Sequence, residues 1–237
     1  MKMVYKKRLD GRKFNELREM EAQAGVIPNA DGSARFVIGK TQALVAVYGP
    51  REVHPKFLQN PKRGILRCYY SMMPFSGSGE RIRPGTSRRA QEISMVMNKA
   101  LEPVVDLSEF PNSAVDVFVQ LPQTDAGTRC AAISAASIAL ADAGIPMKDM
   151  VSAVAVGEVD GTVLVDLNYD EEAYDGVVSD IPVAMTHNSK EITLLQMDGE
   201  VSKEQLMKAL EMAKEATEKV YEVLMKALKE KFRLEEK

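Results

Sequence analysis

The sequence predicts an α+β fold, mixed β-sheets backed by α-helices, and three observations carry that prediction. The first half runs in apolar or alternating segments rich in β-branched residues. The stretch after Gly127 is small and apolar on nearly every side, as a helix pressed against a sheet is. From Ser202 onward one apolar stripe recurs at helical spacing. No linker rich in Pro, Gly or Ser divides the chain and no repeat stands out, so residues 1–237 are expected to form a single domain with a C-terminal helix from about 202.

Taken in order, ARFVIGKTQALVAVYGP reads as a hairpin or meander, punctuated by Gly39 and ended at Gly49-Pro50. ILRCYYSMMPF, residues 65–75, is a further strand, closed by the loop GSGERIRPG. From Ser87 the period becomes helical through Ile93, Val96, Met97, Ala100 and Leu101, until Pro103 stops it. Val115, Val117, Val119 and Leu121 then alternate as in a half-buried strand. CAAISAASIALADAG makes a buried helix ending at Gly144 before Pro146. MVSAVAVGEVDGTVLVDLNY gives two strands about an Asp160-Gly161 turn. IPVAMTHNSKEITLLQMDG gives two more. In the last helix Ser202 and Gln205 form a capping box, and Leu206, Leu210, Ala213, Val220, Leu224 and Leu228 make the stripe.

Composition narrows the function classes. With 45% hydrophobic residues the chain can bury a core, and no run approaches the roughly 18 apolar residues of a membrane span. A cytoplasmic protein with no membrane partner is therefore expected. Cys68 and Cys130 lie far apart without a CxxC pattern or a histidine cluster, so neither a disulfide framework nor a zinc site is indicated. The net charge of -3 argues against a polyanionic partner, but between Arg51 and Arg89 nine basic residues face two acidic ones. Such a segregated segment makes a local anion site in an acidic protein.

Three groups of residues are candidates for chemistry. Gly127-Thr128-Arg129 follows a strand and opens a helix, where free amides and the helix dipole favour an anion; the alternative is a plain helix start with Arg129 paired to Asp125. Arg88 and Arg89 form a second cationic pair at a helix start that Ser87 caps. Neighbours on a helix point about 100° apart, a spread that suits an extended phosphate backbone. DLNYDEEAYDGVVSD carries Asp166, Asp170, Glu171, Glu172, Asp175 and Asp180, most of which are expected to be splayed in water. Asp180, directly before the IPVAM strand, is the one expected to be held rigidly. His54 and His187 belong to no nucleophile motif, and the absence of Trp weakens base stacking as the main binding mode.

Several stretches together resemble a known family. LDGR, NADGSARFVIGKTQALVAVYGP, SRRAQEISMVMNKALEP, FPNSAVDV, DAGTRCAAISAASIALADAGIPMKD and VDLNY followed by SDIPVAM are similar, in this order and over nearly the whole chain, to the phosphorolytic ribonucleases of the ribonuclease PH family. NADGSA, VYGP and ALADAGIPM are nearest to its archaeal exosome branch rather than to the bacterial tRNA-trimming branch. The resemblance implies a fold like ribosomal protein S5 domain 2. It implies a hetero-hexameric ring in which catalytic subunits alternate with a related inactive subunit, capped by RNA-binding proteins. It implies 3′-to-5′ shortening of single-stranded RNA with inorganic phosphate as co-substrate, Mg²⁺ being a further candidate. By the resemblance, Gly127, Thr128 and Arg129 bind phosphate and Arg88 and Arg89 hold the RNA 3′ end. Arg63, in the loop His54–Gly64, lines a channel neck, and Asp180 is one of two catalytic acids. The second acid departs from the family spacing: Tyr174 stands six residues before Asp180, and counting forward from Asp166 reaches Glu172, with Asp175 as the alternative. A noncatalytic RNA-binding ring subunit and a tRNA 3′-end-trimming enzyme are the other readings.

Overall fold

The computed structural model describes residues 5–78, 81–85 and 87–233. Gly79 and Glu80 of the glycine-rich loop, and Thr86 ahead of Arg88, lie outside the described residues.

The first sheet contains β1 (Met20–Ala24), β2 (Gly32–Ile38), β3 (Thr41–Glu52), β4 (Ile65–Met72) and β5 (Ser113–Gln123). Their spatial order is β1-β2-β3-β5-β4. Every pairing is antiparallel except β4 with β5, whose parallel register requires a crossover. That crossover is α1 (Arg88–Leu101), which buries Ile93, Val96, Met97, Ala100 and Leu101, the residues the periodicity selects. The second sheet is wholly antiparallel, in the order β7-β6-β8-β9, from β6 (Val151–Val159), β7 (Thr162–Val165), β8 (Val178–Thr186) and β9 (Ile192–Leu195).

Helix α2 (Thr128–Asp142) packs against strands of both sheets, so every residue from Cys130 to Leu140 is buried. Alanine and serine let the backbones close in: a Cβ added at Gly32 would run into Ala139 of α2 and Ala143, its C-cap. Two of its serines do polar work in this apolar layer. The Ser137 hydroxyl accepts from the Val151 amide at 3.0 Å and Ser134 from the Ala153 amide at 3.1 Å, satisfying the inner edge of β6. Helix α4 (Lys203–Phe232) starts at the Ser202–Gln205 capping box. It lays Ala209, Ala213 and Ala216 over Val154, Val156 and Ile181, and continues with Val220 and Leu224 into the larger core.

Four details differ from the sequence reading. β3 does not end at Gly49-Pro50 but runs to Glu52, because a register shift between Tyr48 and Arg51 absorbs the irregular residues as a bulge. β1 was not foreseen; MEAQA is a half-exposed edge strand with little hydrophobic signal. The acidic stretch contains a one-turn helix, α3 (Tyr169–Glu172). β8 begins at Val178, so Asp180 lies inside the strand rather than ahead of it.

Candidate active site

The starts of α1 and α2, the single turn α3 and the first residues of β8 meet at a cleft of about 590 Å³. At its floor, Ala126 (φ 57°) and Gly127 (φ 61°) are consecutive left-handed residues ahead of α2. Alanine pays a steric penalty there, and the conformation is held from outside. The Thr41 hydroxyl donates to the Ala126 carbonyl at 2.8 Å and accepts from the Asp125 amide at 2.9 Å. Gly127, the N-cap, has no side chain to satisfy the first amides of α2, so they remain available to an anion. Thr128 is buried beside them.

Arg129 does not pair with Asp125. Its Nη1 donates to the Gln196 side-chain oxygen and lies 3.7 Å from Glu92 Oε1, while Gln196 Nε2 donates to the same Glu92 oxygen at 3.1 Å. Glu92 comes from α1 and Gln196 follows β9, so two remote segments fix the guanidinium over the cleft. From α1, Ser87 caps the Ala90 amide at 3.0 Å and Arg89 lines the cleft. Arg88 is exposed and lies outside the lining, as the angular separation of helix neighbours requires.

Opposite the arginines stand two carboxylates. Asp180 is paired across the sheet with Gly157, where any Cβ would strike the Ser179 carbonyl, and its backbone exchanges hydrogen bonds of 2.9 and 2.8 Å with Asp198. Its Oδ1 is buried with no hydrogen-bond partner among the described residues. Burial raises the Asp180 carboxyl above the usual range, with Asp198 adding to the rise and Arg129 and Arg89 opposing it. Glu172 is pushed up to about 7 by burial and then by Asp180, against the Gly127 amide, Arg89 and Arg18. Asp175 is exposed and outside the cleft. The structure thus brings Glu172, not Asp175, beside Asp180.

The remaining acids correct the expectation that most are splayed in water, which holds only for the exposed Asp170 and Asp175. Glu171 and Asp166 are buried against arginines of the N-terminal segment. Arg8, 2% exposed, reaches Glu171 with Nε at 2.8 Å and Nη2 at 2.6 Å, and donates to the Val165 and Asp166 carbonyls. Arg18 grips the Asp166 carboxylate at 2.9 and 2.6 Å, and Arg12 joins at 3.2 Å. Asn168 and Glu171 close a capping box on α3. Sequence reasoning missed Arg8 and Arg18. The available signal was charge complementarity between the arginines of residues 8–18 and the acidic loop.

Arg63 does not join this site: it is exposed, pairs with Glu102 at 3.0 Å and borders a separate depression with Lys99 and Lys148. His54 pairs with Glu52 on the surface and His187 stacks on Tyr221, both away from the cleft. Both cysteines are free and buried, and burial pushes the Cys68 thiol up to about 12. Among the described residues no three His, Cys, Asp or Glu side chains converge to hold a metal ion, and no helix is long and apolar enough to cross a membrane.

The cleft can hold two anions close together, one on the α2 amides with Arg129 and one beside Arg89, with a carboxyl that burial raises to about 7 within the same walls. Comparison with known proteins agrees in kind. Residues 16–146 match the 3′ exoribonuclease family, domain 1, and residues 149–216 match its domain 2. The exosome complex component Rrp41 of Thermococcus kodakarensis is 52% identical over 95% of this chain and 90% of its own length. That of Pyrococcus furiosus is 50% identical over 95% and 89%. The crystal structure of rice (Oryza sativa) Rrp46 superposes with a TM-score of 0.80 at 27% identity, covering 93% of this chain and all of the other. The Archaeoglobus fulgidus exosome with RNA bound to the active site shares the fold, with a TM-score of 0.77 at 23% identity over 91% and 92% of the two chains.

Proposed function

The chain belongs to the 3′ exoribonuclease family, as a phosphorolytic 3′-to-5′ exoribonuclease of the exosome, and we propose that the cleft between Arg129 and Glu172 carries its chemistry. The observation that supports this assignment is the meeting of an uncapped helix start, Arg129, Arg89, Glu172 and Asp180 in one cleft.

Inorganic phosphate sits at the Gly127-Thr128-Arg129 turn on the amides of Thr128 and Arg129, with its charge offset by the Arg129 guanidinium. Arg89 holds the last phosphodiester of a single-stranded RNA, and Arg88, exposed beside the cleft rather than lining it, is read as a contact to the RNA backbone outside. One phosphate oxygen attacks that phosphorus in line; the bond from phosphorus to the 3′ oxygen of the preceding nucleotide breaks. The leaving 3′ oxygen takes a proton from Glu172, whose raised carboxyl is still partly protonated near neutral pH, and a nucleoside 5′-diphosphate departs. Burial, and after it like-charge repulsion from Asp180, keeps Glu172 partly protonated near neutral pH. Phosphate is already a nucleophile, so the protein need only bring two repelling anions together.

Asp180, whose Oδ1 is buried and unpartnered among the described residues, fits Mg²⁺, which takes one or two carboxylates and fills its shell with water and phosphate oxygens. When bound, it would offset charge on the phosphates.

For assembly, the reading is a hetero-hexameric ring with a related inactive subunit and RNA-binding caps, in the cytoplasm. An exposed aromatic patch on the first sheet supports a subunit contact: Phe118 stacks on Tyr69 at 4.9 Å and meets Tyr48 edge-on at 6.0 Å. Arg63, free of the cleft and exposed, suits a channel neck. Because α2 and α4 pack on both sheets, residues 1–237 are read as one domain.

The test is to incubate single-stranded RNA with the chain, alone and with its ring partner, with and without phosphate. Diphosphate release that requires phosphate is expected; no turnover in any assembly overturns the reading.

A further inference from the structure

We propose that Arg18 is a positioning residue that ties the phosphate-binding loop to the acid-bearing turn, so that the two halves of the active site are held in register by one guanidinium. The proposal rests on the functional reading above and extends it to a residue that touches neither substrate.

Arg18 comes from the segment ahead of β1 and is only 9% exposed. On one side its Nε and Nη2 hold the two Asp166 oxygens at 2.9 and 2.6 Å, and its own amide donates to Asp166 at 2.8 Å. Asp166 is left-handed (φ 56°) and opens the loop that leads through the Asn168 cap to Glu172. On the other side Arg18 Nη1 donates to the Asp125 carbonyl and lies 3.7 Å from the Asp125 carboxylate. Asp125 in turn accepts from the Tyr169 amide at 3.0 Å, closing the circuit onto α3. Next along the chain come Ala126 and Gly127, whose left-handed backbone aims the α2 amides into the cleft.

Strained residues stay in place only when their surroundings over-determine them. Thr41 supplies one constraint on the phosphate loop, and Arg18 the other. The planar fork is what makes Arg18 suited to this: it binds a carboxylate with two nitrogens and still has a third for a carbonyl, which an ammonium on a flexible stem cannot reproduce in fixed geometry.

Arg18→Lys keeps the cation and loses the fork; Arg18→Met loses both. With inorganic phosphate and an oligoadenylate as probes, in the active assembly, Arg18→Lys is expected to raise KM for phosphate about tenfold while KM for RNA changes less than twofold. Arg18→Met, which also loses the cation, is expected to raise KM for phosphate at least as much, again with KM for RNA changing less than twofold. Thr41→Val, on the other tether, should raise KM for phosphate in the same direction. An active wild type whose Arg18→Lys variant keeps its KM for phosphate, or loses only kcat in proportion to folded protein, overturns the role of Arg18. A wild type without phosphate-dependent turnover overturns the functional reading instead. If Arg18→Met does not fold, the Lys and Thr41 variants still decide the matter through KM.

Discussion

Glu171 and Glu172 are adjacent in sequence and opposite in environment: Glu171 is fully buried on Arg8 at 2.6 Å, while Glu172 turns into the cleft against Asp180 with its carboxyl raised to about 7. A single helical turn, capped by Asn168, separates a structural carboxylate from a reactive one. The first is compensated by a cation in direct contact and the second is not, which is the condition for a carboxyl that exchanges its proton near neutrality.

Activity should therefore fall with rising pH across about 7. If Glu172 delivers the proton, kcat/KM tracks its protonated fraction and declines as pH climbs through that value. Phosphorolysis measured from pH 5.5 to pH 9 tests this; in Glu172→Gln turnover should drop at least a hundredfold, a typical general-acid contribution, and the alkaline limb should vanish. A limb that survives the substitution assigns it to another group.

The same proton affects stability, in a definite direction. The native carboxyl titrates near 7 and the unfolded one near 4.5, so between these values the native state binds more protons and stability falls as pH rises. The loss across that window is of the order of 3 kcal/mol. Urea unfolding at pH 4.5 and pH 8 should show Glu172→Gln gaining on the wild type at the higher pH, with little change at the lower.

Breaking the Arg8–Glu171 pair should cost far more than an exposed ion pair would. Glu171→Ala leaves the Arg8 guanidinium buried with its main partner gone, a loss of about 3–5 kcal/mol. Denaturant midpoints check this. Asp170→Ala, one residue away and exposed, should change stability by less than about 0.5 kcal/mol.

Arg129→Glu is expected to abolish turnover by replacing the cation at the α2 amides with a carboxylate, and unchanged phosphorolysis would refute its role. Arg89→Ala should weaken RNA binding at every sequence and lower the salt slope of binding by about 0.7, the share of one single-strand phosphate contact. Filter binding of oligoadenylate and oligouridylate over a salt series measures both.

The sequence by itself determined the elements with strong local periodicity and the residues whose role depends on place in the chain. The α1 face from Ile93 to Leu101, the all-round burial of α2, the Ser202 cap of α4 and the Gly127 helix start were legible because spacing and capping are local properties. The basic segment and the family resemblance brought Arg89, Arg129 and Asp180 into view together. Only the tertiary structure showed which acid shares the cleft with Asp180: Glu172 closes the single turn α3 and lines the cleft, whereas Asp175, three residues past that turn, is exposed outside it. It alone showed that Arg8 and Arg18 neutralise Glu171 and Asp166 across separations of 163 and 148 residues, and that Gln196 and Glu92 hold Arg129. Charge pairing over such distances has no period and no motif; it exists only once both sheets have closed on α2, because a buried charge then has to find its partner wherever the fold puts one.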